Sequence, residues 1–241
     1  MDTASQRPIL RQKEIDVLIK SMIQHSSLSI IRRMYDNPTG ILYALQLRSA
    51  LRDCRSVLDA GCGSQSNLRY ICQNSTHTMG LDGHAASLEK ARLSGTHDEY
   101  RQLDVRELSN AFPSGAFDAC IALDVIEHLT KEEGNQFLKQ LERIARKKVV
   151  VFTPNGFMPQ GNTEVGDYQK HLSGWTADEM IERGYDVTGS LGLKILRGEY
   201  HKIRFKPKCL WLPLSILSDI CYARYHYQTA AALFCVKQII R

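Results

Sequence analysis

The chain has 241 residues, 43% hydrophobic and 24% charged, which is enough to bury the core of one large domain and too balanced for a disordered or fibrous protein. A formal charge of +5 over that length is not the dense basic stripe of a nucleic-acid groove, and the seven cysteines (54, 62, 72, 120, 209, 221 and 235) form no C-x-x-C pair or zinc spacing. Met1 to Glu14 lacks the apolar segment of a signal peptide, and the longest apolar stretch, Cys209 to Leu217, is too short to cross a bilayer, so reduced cysteines and a cytoplasmic protein are expected.

In chain order, Leu18, Ile19, Met22 and Ile23 recur at helical spacing, and Leu28, Ile30, Ile31 and Met34 continue it. Asn37-Pro38-Thr39-Gly40 breaks the pattern before a further helix at about Ile41 to Leu51. Residues 1–50 therefore read as a helical extension capping an acceptor pocket, and residues 51–241 as the main domain. From Val57 to Phe152 short apolar runs alternate with amphipathic segments: strands at 57–59, 78–82, 99–103, 117–123 and 148–153, helices at 64–73, 84–93 and 131–146. That alternation predicts an α/β fold with a mostly parallel sheet and helices on both faces, because strands 119–123 and 149–152 are apolar throughout. A loop at Pro154 to Gly166 follows, then a helix over Thr176 to Arg183 with Thr176 as cap and Glu179 as its capping-box partner. Strands beginning at Tyr185 to Gly189 and near Ala230 to Lys237 predict a closing hairpin at one sheet edge. The segment 190–228 reads as a variable insert.

Ligands of an open parallel sheet bind beyond the carboxyl ends of its strands, where strand order reverses. Asp59, Asp82, Asp104 and Asp124 all fall at or just after predicted strand ends. Gly61 and Gly63 flank the first strand-to-helix turn, where a missing side chain lets a ligand approach backbone N–H groups. Ser66 stands where a dinucleotide fingerprint requires its third glycine, which disfavours NAD and FAD.

In combination, Val57-Leu58-Asp59-Ala60-Gly61-Cys62-Gly63, Gly80-Leu81-Asp82, Leu103-Asp104-Val105, Phe117-Asp118 and Asp124-Val125-Ile126-Glu127-His128-Leu129 resemble the class I S-adenosylmethionine-dependent methyltransferases over about 57–190. The resemblance implies a Rossmann-like, seven-stranded fold with S-adenosyl-L-methionine as cofactor. It implies that Asp59, Gly61, Cys62 and Gly63 meet the methionine part, Asp82 the ribose hydroxyls, Asp104 and Val105 the adenine, and Leu123 the sulfonium region. Gln65 departs from the pattern, standing where many members have a further glycine.

Methyl transfer needs positioning, a dry pocket and sometimes a base for the acceptor. Glu127 and His128 after the fourth strand, and His171 in the segment after the fifth, are the candidate catalytic residues. With Asp124 they would also make a set of carboxylates and imidazoles able to hold Mg²⁺ or Mn²⁺, similar to that of small-RNA 3′-terminal 2′-O-methyltransferases and of ubiquinone-pathway O-methyltransferases. Because Glu-His-Leu is equally at home in metal-free relatives, no metal is expected. The expected activity is O-methylation of a small-molecule, sugar or lipid-linked acceptor, since no Asn-Pro-Pro-Tyr motif of nucleic-acid amino-methylating enzymes follows the fourth strand. A metal-assisted RNA 2′-O-methyltransferase and a non-catalytic binding module are the alternatives. Nucleic acid is not an expected partner, and the sequence leaves the oligomeric state open. The basic run Lys202, Arg204, Lys206 and Lys208 reads as a solvated loop, and the apolar 209–217 stretch as core or pocket wall that Pro213 interrupts, with contact to a membrane or lipid substrate as the minor reading.

Overall fold

The computed structural model describes residues 39–64, 66, 68–72, 76–158, 170–198 and 201–240, so the helices expected over 15–34 lie outside the described residues. Seven strands form one sheet: β1 (Ser56–Ala60), β2 (His77–Asp82), β3 (Glu99–Gln102), β4 (Phe117–Leu123), β5 (Ala145–Pro154), β6 (Asp186–Leu193) and β7 (Ala230–Gln238). Their order is β3-β2-β1-β4-β5-β7-β6. The pairs among β1 to β5 are parallel, whereas β7 lies antiparallel to both β5 and β6. The order reverses between β1 and β4, which places the ligand crevice at their carboxyl ends.

Period-two alternation sorts the strand residues onto two faces. Leu58, Cys120, Ala122, Val149 and Val151 join one core cluster, and Val57, Ala119, Ile121, Val150 and Phe152 join the other. Helices α1 (Thr39–Leu51), α2 (Leu68–Ile71), α3 (Ala85–Ser94) and α4 (Lys131–Ile144) are joined later in the chain by α5 (Ala177–Glu182) and α6 (Lys208–Ser218). On the first face α4 buries Phe137, Leu138, Leu141 and Ile144, spaced as one helical stripe, and Thr130 closes its N-terminus in a capping box with Glu133. Thr176 and Glu179 make the same device at α5, as the sequence predicts. On the second face α1 contributes Leu47 and Leu51, and the Tyr43 ring lies 4.6 Å from that of Phe152.

Two expected elements differ. The helix expected over 64–73 is only Leu68–Ile71 long, because Ser66 donates its hydroxyl to Asp59 and accepts the Leu68 N–H, fixing the start of the helix at Leu68. The helix expected to break at Pro213 runs through it to Ser218 and continues as a π-turn over Asp219–Ala223. Pro213 stands at the helix midpoint with its ring exposed to solvent. This inserted segment lies directly on β6, where a Cβ at Gly189 would overlap the Ala223 carbonyl and one at Gly192 the Ser215 carbonyl.

Candidate functional site

The turn leaving β1 carries two glycines in the left-handed region, Gly61 at φ 82° and Gly63 at φ 58°. Gly61 and Cys62 donate their N–H groups to the Leu81 carbonyl, 2.7 and 2.9 Å away. A Cβ at Gly61 would come within 2.7 Å of the Val125 Cγ2, whereas one at Gly63 would meet nothing within 4 Å. Gly63 is thus the open edge of the turn, the place where a ligand can reach the backbone.

Asp82, at the end of β2, ties this turn to the next one: one carboxylate oxygen accepts the Gly63 N–H and the other the His84 N–H, both at 2.8 Å. Asp59 works from beneath. Its side chain is 2% exposed and its Oδ2 accepts the Ser66 hydroxyl at 2.8 Å and lies 3.0 Å from Nε2 of His97, which is itself fully buried. Asp104 caps the 3₁₀ turn Val105–Asn110 and is gripped by Arg106 at 2.9 and 2.6 Å, and that guanidinium holds its carboxyl below the usual range.

Beyond β4, Asp124 adopts φ 55°, a left-handed backbone that few non-glycine residues use. Its carboxylate is 3.5 Å from Nε2 of His201, contributed by the segment after β6. Glu127 is buried and accepts the Thr153 hydroxyl at 3.1 Å, and burial followed by the Asp124 charge pushes its carboxyl well above the ordinary range. The Glu127 backbone carbonyl accepts the N–H groups of Leu172 (2.8 Å) and Ser173 (3.1 Å), while Trp175 Nε1 donates to the Ile126 carbonyl at 3.2 Å. These bonds clamp the segment after β5 against the turn after β4. The His128 and His171 rings consequently sit 4.9 Å apart, and burial pulls the His171 imidazole below its usual value.

The strand tips enclose a cleft of about 520 Å³, within the roughly 300–1,000 Å³ span of small-molecule sites. Gly61, Gly63, Asp82, Asp104 and Val105 line one side, and Asp124, His128 and Leu172 the other. The structure therefore brings together most of the residues singled out from the sequence. Asp59 and Cys62 are buried below the turn, and Leu123 packs against the second core cluster. Ligand atoms of Glu127, His128 and His171 all lie within 4.8 Å of one another, so three of the four residues weighed as a metal set from the sequence come together, while the fourth, Asp124, is not in that group and faces His201. Residues that sequence reasoning missed are His97, Arg106 and His201. Asp104-Val105-Arg106 carries a local signal in its i, i+2 charge pair, whereas His97 and His201 reach acids 38 and 77 positions away, with no signal in the sequence.

Residues 58–153 match the family model of a methyltransferase domain. A ubiquinone biosynthesis O-methyltransferase of Pseudomonas paraeruginosa is 27% identical over 153 residues, covering 53% of this chain and 65% of that protein. A probable S-adenosylmethionine-dependent methyltransferase of Mycolicibacterium smegmatis is 29% identical over 145 residues, covering 58% of this chain and 55% of its own. The chain thus spans between about half and two thirds of the length of these relatives. Among solved structures, the methyltransferase domain of bacterial CtHen1 superposes with a TM-score of 0.53 at 17% identity, over 84% of this chain and all of that one, a likeness of fold.

Proposed function

We propose that the chain, whose residues 58–153 match the family model of a methyltransferase domain, transfers the methyl group of S-adenosylmethionine to a hydroxyl oxygen of a small-molecule, sugar or lipid-linked acceptor. The observation that carries this reading is a single cleft with the open edge of Gly63, Asp82 and Asp104 on one side and His128 on the other. S-adenosylmethionine supplies an electrophilic methyl on a sulfonium that leaves as a neutral thioether, so the protein's task is alignment and proton removal.

Gly63 offers the close backbone approach for the methionine part, and Asp82 has lone pairs left for two ribose hydroxyls beside its two backbone bonds. Asp104 faces the adenine amino group and Val105 the ring. Asp59 is assigned a supporting part: it holds the turn in shape through Ser66 and His97 and does not itself touch the donor. As the acceptor's C–O bond forms and the methyl's C–S bond breaks, the hydroxyl proton passes to an imidazole. His128 lines the cleft and is assigned as that base; the His171 ring, 4.9 Å from it and held below its usual value by burial, is its neutral neighbour. The Glu127 backbone carbonyl, accepting the Leu172 and Ser173 N–H groups, holds the segment of His171 beside the turn of His128.

Calorimetric titration with S-adenosylhomocysteine, followed by labelled cofactor in fractionated cell extract, tests the reading. Binding together with label in small molecules is expected. Absence of donor binding, or label entering protein or RNA alone, defeats it. A metal-assisted version is favoured by one observation, the ligand spacing of Glu127, His128 and His171. These residues would hold the ion, which would bind and acidify the acceptor hydroxyl. EDTA separates the two versions: lost activity restored by Mg²⁺ or Mn²⁺ supports the ion, and indifference removes it.

A further inference from the structure

Helix α6 and the π-turn that continues it are inside out. Ser215 and Asp219, both wholly inaccessible, face inward: the Ser215 hydroxyl donates to the Leu191 carbonyl and accepts from the Arg197 guanidinium at 2.8 and 3.1 Å. The outward positions are apolar instead. Leu210, Leu214, Leu217 and Ile220, spaced three or four apart, are 67, 45, 57 and 47% exposed. The stretch expected to be core or pocket wall is therefore a surface, corrected by the glycines of β6, which admit the backbone of this segment so closely that small and polar side chains fill the inner face. A soluble helix normally shows the opposite arrangement, and a contiguous exposed apolar stripe of this kind marks a contact surface.

The residues leading into that stripe select its occupant. Arg204, Lys206 and Lys208 are exposed, no acid interrupts them, and α6 has no acid in its first turn, where a helix favours negative charge. The Phe205 ring packs 4.9 Å from Trp211, which folds the basic run against the first turn of the apolar helix. The N-terminal residues 1–38 carry more basic than acidic side chains and offer no charge complement. A planar apolar stripe, about 24 Å long by the rise of a helix over Lys208 to Ala223, rimmed by cations, matches the boundary of an anionic bilayer. We infer that the protein docks peripherally on anionic membranes, with the outward face of Lys208–Ala223 seated among the acyl chains and Arg204, Lys206 and Lys208 on the headgroups. No helix among the described residues is long and apolar enough to cross a membrane, so the attachment is to one surface.

Cosedimentation with vesicles of phosphatidylcholine alone, and of phosphatidylcholine mixed with anionic phosphatidylglycerol, tests the inference without donor or acceptor. Binding to the anionic vesicles that weakens with salt is expected. Lys206→Ala with Lys208→Ala should weaken it roughly thirtyfold, and Leu214→Glu with Leu217→Glu should abolish it while S-adenosylhomocysteine affinity stays unchanged. Vesicle binding that is absent, that ignores anionic lipid, or that survives the leucine replacements overturns the inference. So does a wild-type dimer in sedimentation velocity that the same leucine replacements convert to monomer, since the stripe would then belong to a second copy. These outcomes are separate from donor binding, so the methyltransferase reading stands or falls independently.

Discussion

Asp59 and His97 meet below the donor turn, Oδ2 to Nε2 at 3.0 Å, with neither side chain reaching solvent. The carboxylate of β1 is thus held by a histidine two residues before β3, and the turn leaving β1 is fixed from behind. A buried hydrogen bond to a charged group contributes about 1.5–3 kcal/mol. His97→Ala should lower unfolding stability by that amount, read by urea denaturation, and weaken S-adenosylhomocysteine binding although His97 lies outside the cleft. Gly80→Ala should act through the same pair, because its Cβ would fall 2.8 Å from the His97 Nδ1. Unchanged donor affinity in both variants would show that the turn keeps its shape unaided.

Asp82 is engaged twice by backbone N–H groups before any ligand arrives. Replacing it with asparagine is not conservative, since the amide NH₂ must then face an N–H donor. Both Asp82→Asn and Asp82→Ala should weaken S-adenosylhomocysteine binding at least tenfold, or about 1.4 kcal/mol, by calorimetry. Retention of wild-type affinity by the asparagine variant would remove the double bond from the account.

Gly134 gives Trp175 its seat: a Cβ there would stand 2.5 Å from the indole Cζ2. Alanine gains up to about 1 kcal/mol of helix propensity over glycine, but crowding a fully buried indole costs about 1–3 kcal/mol. Gly134→Ala should therefore destabilise, and by shifting Trp175 it should move His171 off His128. Turnover should fall more than donor affinity. A variant as active as wild type would uncouple the indole from the clamp.

Asp219 is wholly buried, the Gly192 N–H is the one hydrogen-bond donor near its carboxylate and stands too far off for a well-formed bond, and desolvation raises its pKa against the opposing pull of that N–H, Arg224 and Arg197. A raised carboxyl favours the folded state while protonated, so that contribution is present below the unfolded value and is lost as pH rises through the folded one. Asp219→Asn removes the titration. Urea midpoints between pH 4 and 8 should shift in favour of the variant relative to wild type as pH rises. Parallel curves would place an unseen partner on the carboxylate.

The succession of strands along the chain and the acids at their ends were legible because each depends on local pattern: an apolar run of four to seven residues, then a carboxylate. Thr176 and Glu179 were legible for the same reason, as a cap and its partner three positions on. What escaped depends on distance along the chain. His97 and His201 are single imidazoles whose meaning comes only from acids in other strands, and nothing beside them in sequence marks them. The stretch at 209–217 misled because hydrophobicity alone cannot tell an inward face from an outward one. Gly189 and Gly192, not the leucines, decide that orientation through the closeness they allow. The short α2 escaped because Ser66 spends its hydroxyl on Asp59, a tertiary contact that resets a local start signal.

The place of β7 between β5 and β6 bears on how the molecule is made. Residues 230–238 leave the ribosome after every other strand, yet they occupy the interior of the sheet. Until then β5 presents an open edge, and β6 has nothing to pair with despite having been synthesised earlier. Unpaired edges of this kind template association between chains. The nascent polypeptide is accordingly most vulnerable after β6 has emerged and before β7 has, when the donor half can already have folded and β5 and β6 still lack the strand that joins them.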